Sequence, residues 1–226
     1  MRCRYSFIVC VVRQQDGESL SGLGSTTAAT VSMKHILGRV IDHVKAELGQ
    51  DTVTLLDSSC GDMNWMAGYL TTRTDVDFTG YDITTSNIAV HKEKFSNQTW
   101  KFKQHDIVTE DINESFDLIL SRHTMFHLKT DDVIRSLRNF RRSGSKYLLM
   151  TTQAVEANLE LEDDNIAEFS KTFRVRHLNF FKEPFNLPAP LCLDKDTYDP
   201  SIFIMLYDLT TFDHLIVESE IIKEEL

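Results

Sequence analysis

Val53-Thr54-Leu55-Leu56-Asp57-Ser58-Ser59-Cys60-Gly61-Asp62-Met63-Asn64-Trp65 is the stretch on which the fold turns. Its first four residues form a short apolar run of the length of a buried strand. The run stops at an acid, Asp57, and passes through small residues, Ser58, Ser59, Cys60 and Gly61. A helical segment follows from about Asp62. This is the order in which a parallel α/β sheet presents a nucleotide-like ligand at the carboxyl end of its first strand. Small residues let the backbone come close, and a helix start offers unbonded N–H groups.

Ahead of this stretch, Ser21-Gly22-Leu23-Gly24-Ser25 reads as a flexible loop. A helix is expected over Thr27–Leu48, where Val31, Ile36, Leu37, Val40, Ile41, Val44 and Leu48 recur at helical spacing, with Gly49 as its stop. Beyond it, a short helix to Leu70 precedes a second strand, Phe78–Ile83, with Asp82 near its end. A helix over Ser86–Phe95, a strand over Trp100–Gln104 ending at His105-Asp106, and a strand over Phe116–Leu120 opening into Ser121-Arg122-His123 follow. Asp131–Arg142 is helical by pattern and Tyr147–Met150 a fifth strand. Strands alternating with helices define a parallel sheet covered on both faces. Right-handed crossovers place every strand's carboxyl end on one rim. Asp57, Asp82, Asp106 and Ser121–His123 thereby collect there. From Ala154 the alternation lapses. Glu156–Glu168 is an acidic loop or frayed helix, and the Pro- and aromatic-rich Asn179–Pro190 is extended and a candidate wall on the substrate side. Ile202–Leu209 is a late apolar strand.

The chain has 226 residues, 42% hydrophobic and 26% charged, enough for one sizeable core. Its net charge of −10 disfavours a large nucleic-acid footprint, which needs clustered Lys and Arg. Cys3, Cys10, Cys60 and Cys192 are scattered, with no CxxC and no zinc spacing, so no metal is expected and a reducing, cytoplasmic setting is the simplest reading. The apolar run Phe7–Val12 behind Arg2 and Arg4 gives a secretory leader as the alternative, although it is too short to span a bilayer.

At the rim, an acid closing the second strand accepts hydrogen bonds from a ribose diol, the role open to Asp82. An acid after the third strand, Asp106, suits an adenine amino group. Asp57 within the first turn repels a pyrophosphate but suits a ligand with a cationic amino-acid end. His123 and His127 are candidate general bases, since imidazole titrates near neutrality, and Arg122 is a candidate for orienting an anionic substrate.

These residues resemble a family. Leu56-Asp57-x-x-Cys60-Gly61-Asp62-x-Asn64-Trp65, Gly80-x-Asp82-Ile83, His105-Asp106 and Phe116-Asp117-Leu118-Ile119 are similar to class I S-adenosylmethionine-dependent methyltransferases. The resemblance runs from about Ser21 to Leu209 and is closest to a group with a Ser-Gly-x-Gly-Ser loop, a CGD-x-NWM turn, an NFRRSG-x2-YLL segment and an N-x4-PF-x-LP-x-PL segment. It implies a Rossmann-like α/β fold, a three-layer αβα sandwich on a mostly parallel seven-stranded sheet. A C-terminal antiparallel hairpin would come from Pro190–Leu193 and Ile202–Leu209. The domain would cover 21–213, with 1–20 a leader or extra edge element and 214–226 a polar tail. The implied cofactor is S-adenosyl-L-methionine. Asp57 and Gly61 would line its methionine end, with Ser59, Cys60, Asp62 and Trp65 around them. Asp82 and Ile83 would take the ribose, Asp106 and Ile107 the adenine, and Ser121 would lie under the sulfonium. Ser59 and Met63 stand where the family's turn often carries glycine, and a side chain strains any such position that needs positive φ. The expected partner is a methyl acceptor, a small molecule or a protein, with nucleic acid and membrane disfavoured. Two other functions compete: a catalytically silent cofactor- or partner-binding module, and a nicotinamide-dependent oxidoreductase, which the missing GxGxxG disfavours.

Overall fold

A computed structural model of the chain describes residues 17–161 and 175–212. The expected N-terminal leader, most of the acidic stretch Glu156–Glu168 and the polar tail lie outside the described residues. The strands are β1 (Val53–Asp57), β2 (Val76–Asp82), β3 (Lys101–Gln104), β4 (Leu118–Ser121), β5 (Tyr147–Gln153), β6 (Cys192–Lys195) and β7 (Ile202–Asp208). They form one seven-stranded sheet in the order β3-β2-β1-β4-β5-β7-β6. The first five are mutually parallel, and β7 runs antiparallel to both β5 and β6. The helices are α1 (Val31–Leu48), α2 (Asn64–Leu70), α3 (Thr85–Lys94) and α4 (Thr130–Arg142).

Strand periodicity divides the interior into two cores. Val53 and Leu55 of β1, Leu118 and Leu120 of β4, and Tyr147 and Leu149 of β5 point to one face, where α1, α2 and α3 bring Met33, Leu37, Ile41, Met66 and Ile88. Leu56, Ile119, Leu148 and Met150 point to the other, against Val133, Leu137 and Phe140 of α4. The central strands are buried throughout because both faces are covered, as the near-continuous apolar runs required.

The expected elements are present, with shifted ends. The first helix starts at Val31 rather than Thr27, because Thr26–Thr30 form a turn in which the Thr30 hydroxyl donates to the Thr26 carbonyl at 2.9 Å. The fourth strand starts at Leu118 rather than Phe116. The Asp117 carboxylate accepts from the Thr54 amide at 2.8 Å and from Gln50 Nε2 at 2.8 Å, tying the lower ends of β4 and β1 together. Asn179–Pro190 is non-helical, as expected, but it does not wall the site. Phe180, Phe185 and Leu187 are buried in the second core beside Met150, Met205 and Tyr207. Asn158 and Asn179 fasten the segment: the Asn179 amide donates to Asn158 Oδ1 at 2.8 Å, and Asn179 Nδ2 donates to the Val155 carbonyl at 2.7 Å. No helix among the described residues is long and apolar enough to cross a membrane.

If this segment is core, Phe180→Ala leaves a cavity and costs about 3–5 kcal/mol in urea unfolding. A cost under about 1 kcal/mol would mean that the segment is a loosely held cover.

Candidate functional site

The carboxyl ends of β1, β2, β3 and β4 meet on one rim, and the turn after β1 is built by its neighbours. The Ser58 amide donates to the Leu120 carbonyl (2.9 Å), Ser59 to Asp57 Oδ1 (3.2 Å), Cys60 to the Tyr81 carbonyl (2.8 Å) and Gly61 to Asp82 Oδ2 (3.0 Å). The Asp62 amide donates to Ser21 Oγ (2.9 Å), Met63 to the Cys60 carbonyl (3.2 Å) and Asn64 to Asp62 Oδ1 (3.1 Å). Every amide from Ser58 to Asn64 is thus bonded within the protein. No open N–H group is left between Ser58 and Asn64, so any that the helix start offers lie further on, within α2.

Gly61 has φ +56°, and a Cβ on it would stand 2.4 Å from Ser21 Oγ, so no side chain fits. The expected strain at Ser59 is not found, because Ser59 is not among the residues with positive φ. It falls on Met63, at φ 60°, where left-handed backbone costs roughly 1–2 kcal/mol. The Met63 side chain offsets this by burial in the first core.

The serine-glycine loop is tied down rather than flexible. Asp62 Oδ2 accepts from Ser19 Oγ (2.7 Å), the Leu20 amide (2.6 Å) and the Ser21 amide (3.2 Å). Asn64 Nδ2 donates to the Ser25 carbonyl at 3.0 Å, and Glu18 Oε1 accepts from the Thr27 amide at 2.7 Å. Residues 18–20, placed with the leader by sequence, are therefore bonded to the turn. The acid and amide of the CGD-x-N motif hold a strap over the rim. The strap packs so closely that a Cβ on Gly24 would lie 2.8 Å from His123 Nδ1.

Beneath the strap lies a cavity of about 420 Å³. Its walls include Ser59 and Gly61 from the turn, Asp82 and Ile83 after β2, His105, Asp106 and Ile107 after β3, and Arg122, His123, Thr124 and His127 after β4. A small annex of about 30 Å³ is lined by Asp57, Cys60, Asp62, Trp65 and Arg122. Of the residues singled out by sequence, only Ser121 lies in neither wall. It is buried, and its hydroxyl has no hydrogen-bond partner among the described residues, so its placement under a sulfonium is not supported.

The geometry refines the other roles. Asp82 Oδ1 accepts from the Thr84 amide at 2.7 Å while Oδ2 braces Gly61; burial raises its pKa. Asp106 closes its own turn, accepting from the Val108 amide at 2.9 Å and from Thr109 Oγ1 at 2.7 Å. His123 sits in left-handed backbone at φ 54°, half-buried in the cavity wall, and its pKa is driven well below the usual value by desolvation and by Arg122. Its imidazole is neutral at pH 7. Burial pushes Asp57 up to about 7 and Arg122 down to about 10. Sequence reasoning missed Thr124, whose hydroxyl is hydrogen-bonded to Ser59 Oγ, and Asp196 in the β6–β7 turn, buried opposite Arg122. Nothing in a lone hairpin aspartate marks it for the rim. Among the described residues, no group of three His, Cys, Asp or Glu converges as metal ligands would.

Residues 56–144 match the family model described as a methyltransferase domain. Among solved structures, TehB from Haemophilus influenzae is 20% identical with a TM-score of 0.50, over 76% of this chain and 61% of TehB. The N-methyltransferase NodS from Bradyrhizobium japonicum WM9 is 10% identical with a TM-score of 0.54, over 79% of this chain and 97% of NodS. A provisionally named zinc-dependent alcohol dehydrogenase from Rhodobacter sphaeroides is 10% identical with a TM-score of 0.55, over 75% of this chain and 89% of that one. At these identities the likeness is one of fold. No curated protein matches the chain. The family match covers the rim from β1 through α4, and the sheet has the seven-stranded order given above, with β7 antiparallel to its neighbours.

Asp57 gives the site a pH signature. An unfolded aspartate ionises near pH 4, whereas in the fold this carboxyl keeps its proton to about pH 7. The native state therefore binds more protons over that interval, and stability from this group falls as pH rises through it. Asp57→Asn removes the fall. The variant should gain on the parent, on the order of 1–3 kcal/mol, between pH 5 and pH 8 in paired urea melts. An unchanging difference would show the carboxyl to be ionised throughout.

Proposed function

We infer that the chain is an S-adenosyl-L-methionine-dependent methyltransferase that passes a methyl group to a small molecule or a protein side chain. The observation that carries this is one cleft whose walls hold the carboxylates ending β1 and β2, the Ile107 side chain and a neutral imidazole. Its volume of about 420 Å³ falls within the range of small-ligand sites. The cofactor fits on two further grounds. Asp82 and Ile83 stand in the wall beside Gly61, and Arg122 keeps guanidinium N–H groups without hydrogen-bond partners among the described residues.

When bound, S-adenosylmethionine supplies an electrophilic methyl group on a sulfonium. Asp82 has lone pairs beyond those bonded to Gly61 and Thr84 and accepts from the ribose diol. Ile83 and Ile107 give apolar surface to the nucleoside, and Asp106 stands at its base end. Asp57 faces the amino-acid end. His123, neutral and with Nε2 lacking a partner among the described residues, accepts the acceptor's proton. His127 lies in the same wall and is the alternative base. The strap at Ser21–Ser25 excludes water. The acidic surface supports an acceptor other than nucleic acid, and the thiols of Cys60 and Cys192, unpaired among the described residues, support a reducing, cytoplasmic setting. The weakly basic His123 also favours a second reading, a binding module without turnover; formation of S-adenosylhomocysteine from S-adenosylmethionine in a cell extract separates the two.

Calorimetry with S-adenosylhomocysteine is the test. The parent should bind it, and Asp82→Asn should weaken binding by about 10- to 100-fold while the protein stays folded by circular dichroism. No binding to well-folded parent protein would remove the proposal.

A further inference from the structure

We propose that Arg122, positioned by Asp196, is the receptor for the carboxylate of the cofactor's amino-acid end, with Asp57 facing its ammonium, so that the annex reads a zwitterion. This rests on the cofactor reading above and redefines Arg122, which the sequence suggested for an anionic substrate.

The first ground is what the backbone does not offer. The amides from Ser58 to Asn64 are bonded inside the protein, so a carboxylate at this turn must be met by a side chain. The second ground is Arg122 itself. It is 8% exposed and lines both the cavity and the annex, and its Nε and Nη2 have no hydrogen-bond partner among the described residues. A buried guanidinium with open donors is costly unless a ligand completes it. Its planar fork matches a carboxylate through two parallel hydrogen bonds.

The third ground is the support behind it. Asp196 Oδ2 lies 3.8 Å from Arg122 Nη2, close enough for attraction and too far for a hydrogen bond. Asp196 is itself held firmly: Oδ1 accepts from Ser32 Oγ at 3.0 Å and from the Tyr198 amide at 2.9 Å. On another side the Trp65 ring lies 6.0 Å from the guanidinium carbon. Asp196 and Trp65 orient the guanidinium and leave its open N–H groups for a ligand. Asp196, and Asp57 once ionised, would repel a dianionic phosphate, whereas a ligand whose carboxylate is paired with an ammonium brings a counter-charge that favours the ionised form of Asp57. The annex, about 30 Å³, also leaves little room for anything larger than the end of an amino acid.

The test compares S-adenosylhomocysteine with decarboxylated S-adenosylhomocysteine, which lacks only the carboxylate, by calorimetry at constant pH. The parent should prefer the intact ligand by about 30-fold or more. Arg122→Gln should reduce that preference to within about threefold and leave affinity for the decarboxylated ligand nearly unchanged. Asp196→Asn should reduce the preference partway, by about 5- to 10-fold, which a general loosening of the fold would not do because it weakens both ligands alike. Equal binding of the two ligands by the parent overturns this inference and leaves the methyltransferase reading intact, and that comparison needs no variant to fold. Retention of the full preference by Arg122→Gln also overturns it and returns Arg122 to the acceptor. Binding of neither ligand by the parent overturns the cofactor reading, and this inference with it.

Discussion

The peptide at Gly61 is the point on which the rim depends. Its N–H donates to Asp82 at the end of β2, and its carbonyl accepts from His91 Nε2 of α3 at 2.7 Å. Its Cα surface is covered by Ser21 of the strap, with no space for a Cβ. One residue thus joins the first strand's turn to the second strand, to the helix after it and to the strap above. A side chain there would push Ser21 away and loosen the Asp62 hydrogen bonds that hold the strap. The required conformation is left-handed, which glycine adopts without steric cost. Met63, two residues on, adopts the same backbone region without that freedom and is kept there by core packing.

The turn consumes its own backbone donors, and this shifts recognition onto charged side chains. Asp57, Arg122 and Asp196 are all buried at its edge, from β1, the end of β4 and the β6–β7 hairpin. Burial raises the pKa of Asp57 and lowers that of Arg122. The antiparallel hairpin, far from the turn in sequence, is therefore part of the rim's electrostatics. Tertiary closure brings Asp196 within reach of α1 through Ser32 and of the guanidinium on its other side.

Much of the fold was legible because its signals are local. Apolar runs gave β1, β2, β4 and β5, alternation gave β3, and helical periodicity gave α1 and α4. The residues that wall the cavity were legible for the same reason, since strand ends share one rim whenever crossovers are right-handed. Long-range pairings were not. Asp62 looks like a ligand residue in sequence, yet its carboxylate is taken up by residues more than forty positions earlier. Ser121 ends β4 as expected, but it lines neither the cavity nor the annex. The aromatic segment Asn179–Pro190 could have been core or cover, and only its packing on β5 and β7 decides the matter. Asp196 carries no local mark at all.

Hydrogen exchange read by mass spectrometry, with and without S-adenosylhomocysteine, addresses the rim as a whole. The structure calls for added protection in 18–25, 57–62, 82–87 and 105–108, the strap and three strand ends that enclose the cavity, with 179–190 unchanged because that segment is core. Protection confined to other segments, or none along the rim despite saturating ligand, would mean that the sheet's mouth does not hold the nucleoside.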